Sequence, residues 1–410
     1  MTLLPSRRAF LMTGASAAAC GMLSGRAAAQ SAVLFTSNGF RLLRATSEGY
    51  DGSIPGPVLR VRQGDELSIR LVNELPQPTA IHWHGIRVPN TMDGIPDLTQ
   101  SKIEPGATFD CRFKTIDAGT FWYHPPSTLG GPMARDLYGV LIVEEKTPVQ
   151  IDREIVLVFD DRPRATETFN TKSNERLRFR LLNASKARLL SLRFDRHAIR
   201  VMAIDGQPAE PFLAHESRVS LGPGNRIDLF LDAGLEPGAS ASIFLDDQKA
   251  EKEVARLVYD AGEKRRASPL PDPRSLPANP LPERIDMRNA FRAEAPLHAI
   301  ASQKQIWAPV APPLTQFDSP FFSVTRGRPV VLAVPNQTDE AYGVHVHGHH
   351  VRLLDNLDDG WKPFWLDTIM TGPRRTTRVA FVADNPGKWL LHAQKLGDPE
   401  TALAAWFEVT

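Results

Sequence analysis

Cysteine is nearly missing. The chain of 410 residues holds two, Cys20 and Cys111. Cys20 falls in an N-terminal stretch with the features of an export signal, so the mature chain keeps Cys111 alone. That excludes an internal disulfide and a thiolate metal cluster. A long apolar run is also missing. The modest stretch "LMTGASAAACGML" near the N-terminus is too short for a permanent membrane anchor. Charge of one sign is not in excess, with 48 basic and 47 acidic residues, a net of +1, which argues against a nucleic-acid partner. Helix-like periodicity is scarce and proline is frequent, at 34 residues. What remains is alternation of Val, Thr, Leu and Phe with polar residues, which predicts an all-β chain of short strands and turns.

The first 29 residues carry Arg7, Arg8 and Arg26 and no acid. "SRRAFL" (6–11) opens them and "AAAQ" (27–30) offers a small-residue cleavage site. Two arginines followed by Ala9, Phe10 and Leu11 resemble a twin-arginine signal. The expectation is export by the twin-arginine machinery, already folded, to the periplasm or beyond. Without this segment 45 basic residues face 47 acidic ones, a net of −2. Cys20 lacks the large aliphatic residue a lipid-attachment site needs three places earlier, where Ala17 stands.

The chain repeats itself. In "RVRQGDELSIRLVNELPQPTAIHWHG" (60–85) and "SVTRGRPVVLAVPNQTDEAYGVHVHG" (323–348), Gly64 and Gly327 each stand 18 residues before the first histidine of a His-x-His-Gly. "DAGTFWYHPP" (117–126) and "NPGKWLLHAQ" (385–394) each place a histidine five residues after a glycine. Two anchors at near-equal spacing predict two homologous β-domains. Between them, "ERLRFRLLNAS" (175–185) and "LGPGNRIDLFLDA" (221–233) copy the strand pattern without the histidines. The expected organisation is a signal over 1–29, a first domain over 30–147 and a second without metal ligands over 148–262. A proline-rich linker over 263–300 and a third domain over 301–410 follow.

Of eleven histidines, four fall within "HVHGHH" (345–350). Alternate residues of a strand share a face, so His82 and His84 face one way, as do His345 and His347. Trp83 and Val346, between them, belong to the cores. His124 and His392 add one imidazole from the second anchor of each repeat. If a pseudo-twofold relates the outer domains, the six meet at their interface, and histidine nitrogen suits copper, zinc, nickel and iron. His349 and His350 do not recur in the first repeat and read as structural or solvent-facing.

"HWHG", "GTFWYH", "HVHGH" and "NPGKWLLH" resemble the four copper-binding segments of the multicopper oxidases, over nearly all of the mature chain. The resemblance implies three cupredoxin-like Greek-key β-sandwich domains and a three-copper cluster between the outer two. It implies that His82 and His345 match the ligands of a type 2 copper. His84 and His124 match two of three ligands on one type 3 copper, and His347 and His392 two of three on the other. Pro126 and Gln394 stand where the third ligands are expected. At the type 1 site the family's two histidines, cysteine and axial residue are replaced by Tyr342, Asp398, Ala393 and Leu403. Asp93 matches an acid that the family uses for proton supply, whereas Gly397 stands in place of the second. The eight methionines are scattered, unlike those of a specialised cuprous oxidase.

Three functions follow. The first is an exported protein binding one or two copper ions, not four, without laccase-type turnover. The second is an oxidoreductase whose remnant cluster works on dioxygen with electrons taken directly from a substrate or partner. The third is a copper-free scaffold similar to the cell-division relative of this fold.

Overall fold

The computed structural model describes residues 39–126, 129, 137–246, 250–262, 264–298, 306–309, 319–354, 361–398 and 400–410. The expected signal over 1–29 lies outside them. Among the described residues six sheets pair into three sandwiches, which agrees with the cupredoxin-like fold expected from the sequence. The first sandwich pairs a sheet ordered Gly49–Tyr50, Arg41–Thr46, Glu66–Asn73, Thr108–Lys114 with one ordered Leu59–Arg62, Gly139–Glu144, Gly119–His124, His82–His84. The middle one packs Ile155, Leu177, Phe179, Leu181, Leu190 and Leu257 into its core. The third does the same with Val330, Val344, Phe381, Trp389 and Phe407.

Strand alternation builds these cores. In Glu66–Asn73 every second residue is buried, so Leu67, Ile69 and Leu71 point inward. The matching middle strand Arg176–Asn183 is buried along its whole length. Its outward residues are Arg176, Arg178 and Arg180, and they are covered instead of solvated. Arg178 and Arg180 both hold Asp228, and Arg180 also donates to the Thr120 hydroxyl of the first sandwich at 2.8 Å. Buried charge is tolerated where it is paired and hydrogen-bonded. This face is therefore an interface between sandwiches.

One asparagine recurs three times and pins the same corner in each unit. Asn73, Asn183 and Asn336 each accept from the backbone N–H two residues on, at 3.0 Å. Each then donates its amide to carbonyls on two separate loops, as Asn73 does to Gln77 and Ile103. The three are at most 2 % exposed, so these bonds replace lost water. Phe291–Glu294, within the stretch read as a linker, forms an edge strand beside Pro329–Pro335.

Candidate metal centre

Strand register brings the histidines together. His82 lies opposite His124 in the first sandwich, and His345 lies opposite His392 in the third. The two repeats thus present the same pair of imidazoles. Trp83 and Val346 point the other way, into their own cores. The outer sandwiches face each other across the site. His82 and His347 rings are 4.2 Å apart, and His84 stacks on His345 at 3.8 Å. All six histidines named from the sequence line one cavity of about 270 Å³.

The hydrogen bonds fix where each proton sits. His82 donates Nδ1–H to the Asp93 carbonyl at 2.8 Å, and His345 donates Nδ1–H to the Asp367 carbonyl at 2.9 Å. In each ring Nε2 then keeps a lone pair, and both Nε2 atoms are buried without a partner among the described residues. An unsatisfied buried acceptor costs about 1–3 kcal/mol. His347 donates Nδ1–H to the Asp93 carboxylate at 3.1 Å, and His124 donates its own to the Pro125 carbonyl at 2.8 Å. His84 is the exception. Its Nε2 meets the Thr368 hydroxyl at 3.0 Å and the Asp367 carboxylate at 3.3 Å. An ionised carboxylate only accepts, so His84 carries its proton on Nε2. Its Nδ1 lone pair then faces the His124 Nε2 lone pair at 3.3 Å with no proton between them.

Two acids organise this set. Asp93 of the first sandwich touches its own His82 and His347 of the third. Asp367 of the third touches its own His345 and His84 of the first. Burial alone would raise both carboxyls. Hydrogen bonds from His347 and His82 outweigh it for Asp93, and Arg226 with His345 and His84 outweigh it for Asp367, so both lie well below the usual range. The family resemblance implies a role in proton supply for Asp93. In the structure its ionised carboxylate orients two imidazoles. Asp367 had no signal in the sequence, because its role comes from a corner between strands of opposite sheets.

Burial pushes His84 and His124 well below the ordinary histidine range. It lowers His345, and brings His347 and His392 to about 3. These imidazoles are therefore neutral at pH 7, the form that binds metal. The donor set fits copper: one nitrogen each from His82, His84 and His345 lie within 4.8 Å of one another, as do donor atoms of His82, Asp93 and His347.

His349 and His350 do not face solvent; each is 3 % exposed. His349 sits among Phe381, Trp389 and Phe407, and His350 Nε2 lies 3.2 Å from the Gln207 amide. Burial brings both down to about 4. A pH effect follows. The unfolded chain protonates its histidines near pH 6.5, about three units above the folded values near 3 and 4 of His347, His349 and His350. In between, the unfolded state binds more protons, so stability falls as pH falls. Each such imidazole removes about 2 kcal/mol between pH 7 and pH 5. Urea unfolding of metal-free protein at pH 7, 6 and 5 checks this, and a flat profile contradicts it.

Other positions are settled by their contacts. Gln394 donates its amide to the carbonyls of Lys395, Asp398 and Thr401, tying down the turn that follows it. Tyr342 and Ala393 are buried in the third core, and Leu403 packs against it. The cavity is also walled by Trp122, Pro126, Leu137, Tyr138 and Leu390. Trp122 stacks on His124 at 4.0 Å. The middle sandwich brings Gly224, where a Cβ would come within 3.0 Å of the His84 ring. Only glycine reaches that close with a φ of +83°.

Comparison with known proteins agrees with this geometry. Residues 40–148, 129–241 and 291–410 each match the sequence profile described as multicopper oxidase. The chain is 26 % identical to multicopper oxidase MmcO of Mycobacterium tuberculosis, over 84 % of this chain and 79 % of that one. A 120-residue stretch is 41 % identical to copper resistance protein A of Pseudomonas syringae pv. tomato, over 29 % of this chain and 19 % of that protein. The solved multi-copper oxidase of Pseudomonas thermotolerans superposes with a TM-score of 0.77 and 31 % identity, over 88 % of this chain and 93 % of that one. Profile matches on all three sandwiches, a full-length structural likeness and paired histidine strands at one interface place this chain in the multicopper oxidase family.

Proposed function

We propose that this is an exported copper-binding member of the family that holds one or two copper ions among His82, His84, His124, His345, His347 and His392 and has no type 1 centre. The observation that carries it is the pair of orphaned Nε2 atoms on His82 and His345, whose Nδ1 positions are already fixed by backbone carbonyls. Such an arrangement aims two lone pairs into the cavity, where a cation would satisfy both. Copper bound there would supply one-electron redox chemistry. The chain's own part is to orient the imidazoles through Asp93 and Asp367 and to hold the others neutral by burial.

Four replaced positions support the loss of type 1 copper. A blue site needs a thiolate and two imidazoles. Where the family's ligands are expected, Tyr342, Ala393 and Leu403 belong to or pack against an apolar core, and Asp398 accepts from Thr401. The cluster is also incomplete at Pro126, and at Gln394, whose amide is engaged elsewhere.

The direct test is metal analysis and electron paramagnetic resonance of protein taken from the periplasmic fraction. One or two coppers per chain, an ordinary type 2 signal and no intense visible band are expected. A copper-free protein, an intense thiolate band, or absence from that fraction each overturns the corresponding part. The second reading, an oxidoreductase fed directly by its substrate, is favoured by the cavity. Its apolar walls at Trp122, Leu137 and Leu390 lead a small organic reductant to the histidines themselves.

A further inference from the structure

The middle sandwich gives no histidine to the cluster, yet it grips the corner on which two of the histidines hang. Asp367 is the single residue between the strands Trp361–Leu366 and Thr368–Thr371, which belong to opposite sheets of the third sandwich. Arg226 of the middle sandwich is fully buried. Its guanidinium pairs with both Asp367 carboxylate oxygens, at 3.0 and 2.5 Å. Two further donors go to the carbonyls of Thr120 and Gly224. Such a two-pronged pair fixes the orientation of the carboxylate as well as its position.

The backbone of the corner is held from the same side. Asp205 accepts from the peptide N–H groups of Asp367 and Thr368, both at 3.3 Å. Asn225 donates to the Thr368 carbonyl at 3.0 Å and to both oxygens of Asp205. The first sandwich is shaped around the same ion pair. Gly85, directly after His84, has a φ of +82°, and a Cβ there would overlap the Arg226 guanidinium and the Asp367 carboxylate. The last residue of "HWHG" is therefore glycine for the sake of a residue in another sandwich.

Thr368 transmits this rigidity to the imidazoles. Its single hydroxyl proton goes to Asp367 Oδ1 at 2.8 Å. Its oxygen is then an acceptor, 3.0 Å from His84 Nε2 and 3.1 Å from His345 Nδ1. His345 has a second acceptor in the Asp367 carbonyl at 2.9 Å. His84 has the Thr368 oxygen as its nearer acceptor and an Asp367 carboxylate oxygen as a longer second one at 3.3 Å. Left to itself, His84 would place its proton on Nδ1 and share it with His124 Nε2, only 3.3 Å away. The corner pulls that proton to the opposite side of the ring and keeps the space between His84 and His124 free of it.

We propose that Thr368 is the positioning residue for His84, and that Arg226, Asp205 and Asn225 make the middle sandwich its anchor. The arrangement does for His84 what backbone carbonyls do for the neighbouring imidazoles: it decides which nitrogen is left as a donor. Partners at this remove from a metal commonly change its affinity 10- to 100-fold.

The test reads the proton directly, on metal-free full-length protein labelled with nitrogen-15 in its histidines. Long-range proton–nitrogen correlation spectra distinguish the two ring tautomers. In the wild type, His84 is expected to be protonated on Nε2, with His82, His124, His345 and His347 protonated on Nδ1. Thr368→Val is expected to move the His84 proton to Nδ1, Thr368→Ser to keep it on Nε2, and His345 to stay unchanged in both. Arg226→Lys keeps the charge and loses the two-pronged geometry, so it is expected to shift His84 partway. Asn225→Ala, at a half-buried position, does the same and covers the case in which the arginine variant does not fold. A merely structural corner would change melting temperature and leave the tautomer alone.

A second arm rests on the proposed copper site. Thr368→Val is expected to weaken copper binding about tenfold or more, and Thr368→Ser by no more than about threefold. Failure of this arm alone, with the tautomer shift present, counts against the copper reading and not against the positioning role. A wild-type His84 protonated on Nδ1 overturns the proposal, as does a Thr368→Val spectrum identical to wild type. If Thr368→Val shifts His84 but neither middle-sandwich variant does, the anchor role of that sandwich is overturned.

Discussion

Replacing His82 and His345 together by alanine is expected to leave less than about a tenth of the copper binding of the parent chain, with the fold intact. These two carry the orphaned Nε2 atoms, and they come one from each outer sandwich, so neither side can compensate for the pair. The cores do not depend on them. Both rings face the cavity, whereas the residues that pack the sandwiches, such as Trp83 and Val346, face away. Removing the two imidazoles also removes two unsatisfied Nε2 acceptors, which offsets part of the packing loss in the metal-free state. Melting temperature should therefore move little, while equilibrium dialysis against cupric ion followed by metal analysis should show the loss. A double variant that binds copper as well as its parent would place the site elsewhere.

Much of this site was legible as repetition. Gly64 and Gly327 mark the same turn, and the strands that follow end in His-x-His-Gly at the same distance. The third imidazole of each repeat was legible for the same reason, and register puts it directly opposite the first. The triple asparagine, Asn73, Asn183 and Asn336, shows that the middle unit keeps the frame although it lost, or never had, the histidines.

Asp367, Thr368 and Arg226 were not legible. Periodicity reports which face of a strand a residue occupies, and a corner residue such as Asp367 has no face. Arg226 reads from its strand as one more charged outward position, and nothing local says that another sandwich covers it. The buried arginine row of "RLRFRLLN" misleads in the same way. Alternation predicts a solvated outer face, but docking of sandwiches turns it into an interior of paired charges. His349 and His350 were open for a related reason: two adjacent polar residues after a glycine resemble a surface turn, whereas here they fill an aromatic pocket and an inter-sandwich contact.

Bulky aminic dyes, the usual reporters of laccase activity, are expected to be oxidised at least about a thousandfold more slowly per copper than by an intact relative, a barrier increase of roughly 4 kcal/mol. Two features of the chain set this expectation. A thiolate–copper centre near the surface would normally take the electron, and the positions that would build it lie in or against the third core as Tyr342, Ala393 and Leu403. The residue between His392 and Gln394 would carry the electron onward through bonds, and an alanine methyl group offers no sulfur to do so. A dye must then deliver its electron to histidines that line a cavity walled by Trp122, Leu137 and Leu390, where a bulky dye is expected to fit poorly and a small diphenol well. Steady-state oxygen uptake with copper-loaded protein separates the readings, using one bulky and one small reductant. Silence with both supports a binding protein. Uptake with the small reductant alone supports direct delivery through the Trp122-lined cavity, and Trp122→Ala should then raise KM, because the ring lines the cavity, and lower kcat as well, because the ring stacks on His124. Rapid turnover of the bulky dye would mean that a surface electron entry survives, and the proposed loss of the type 1 centre would be wrong.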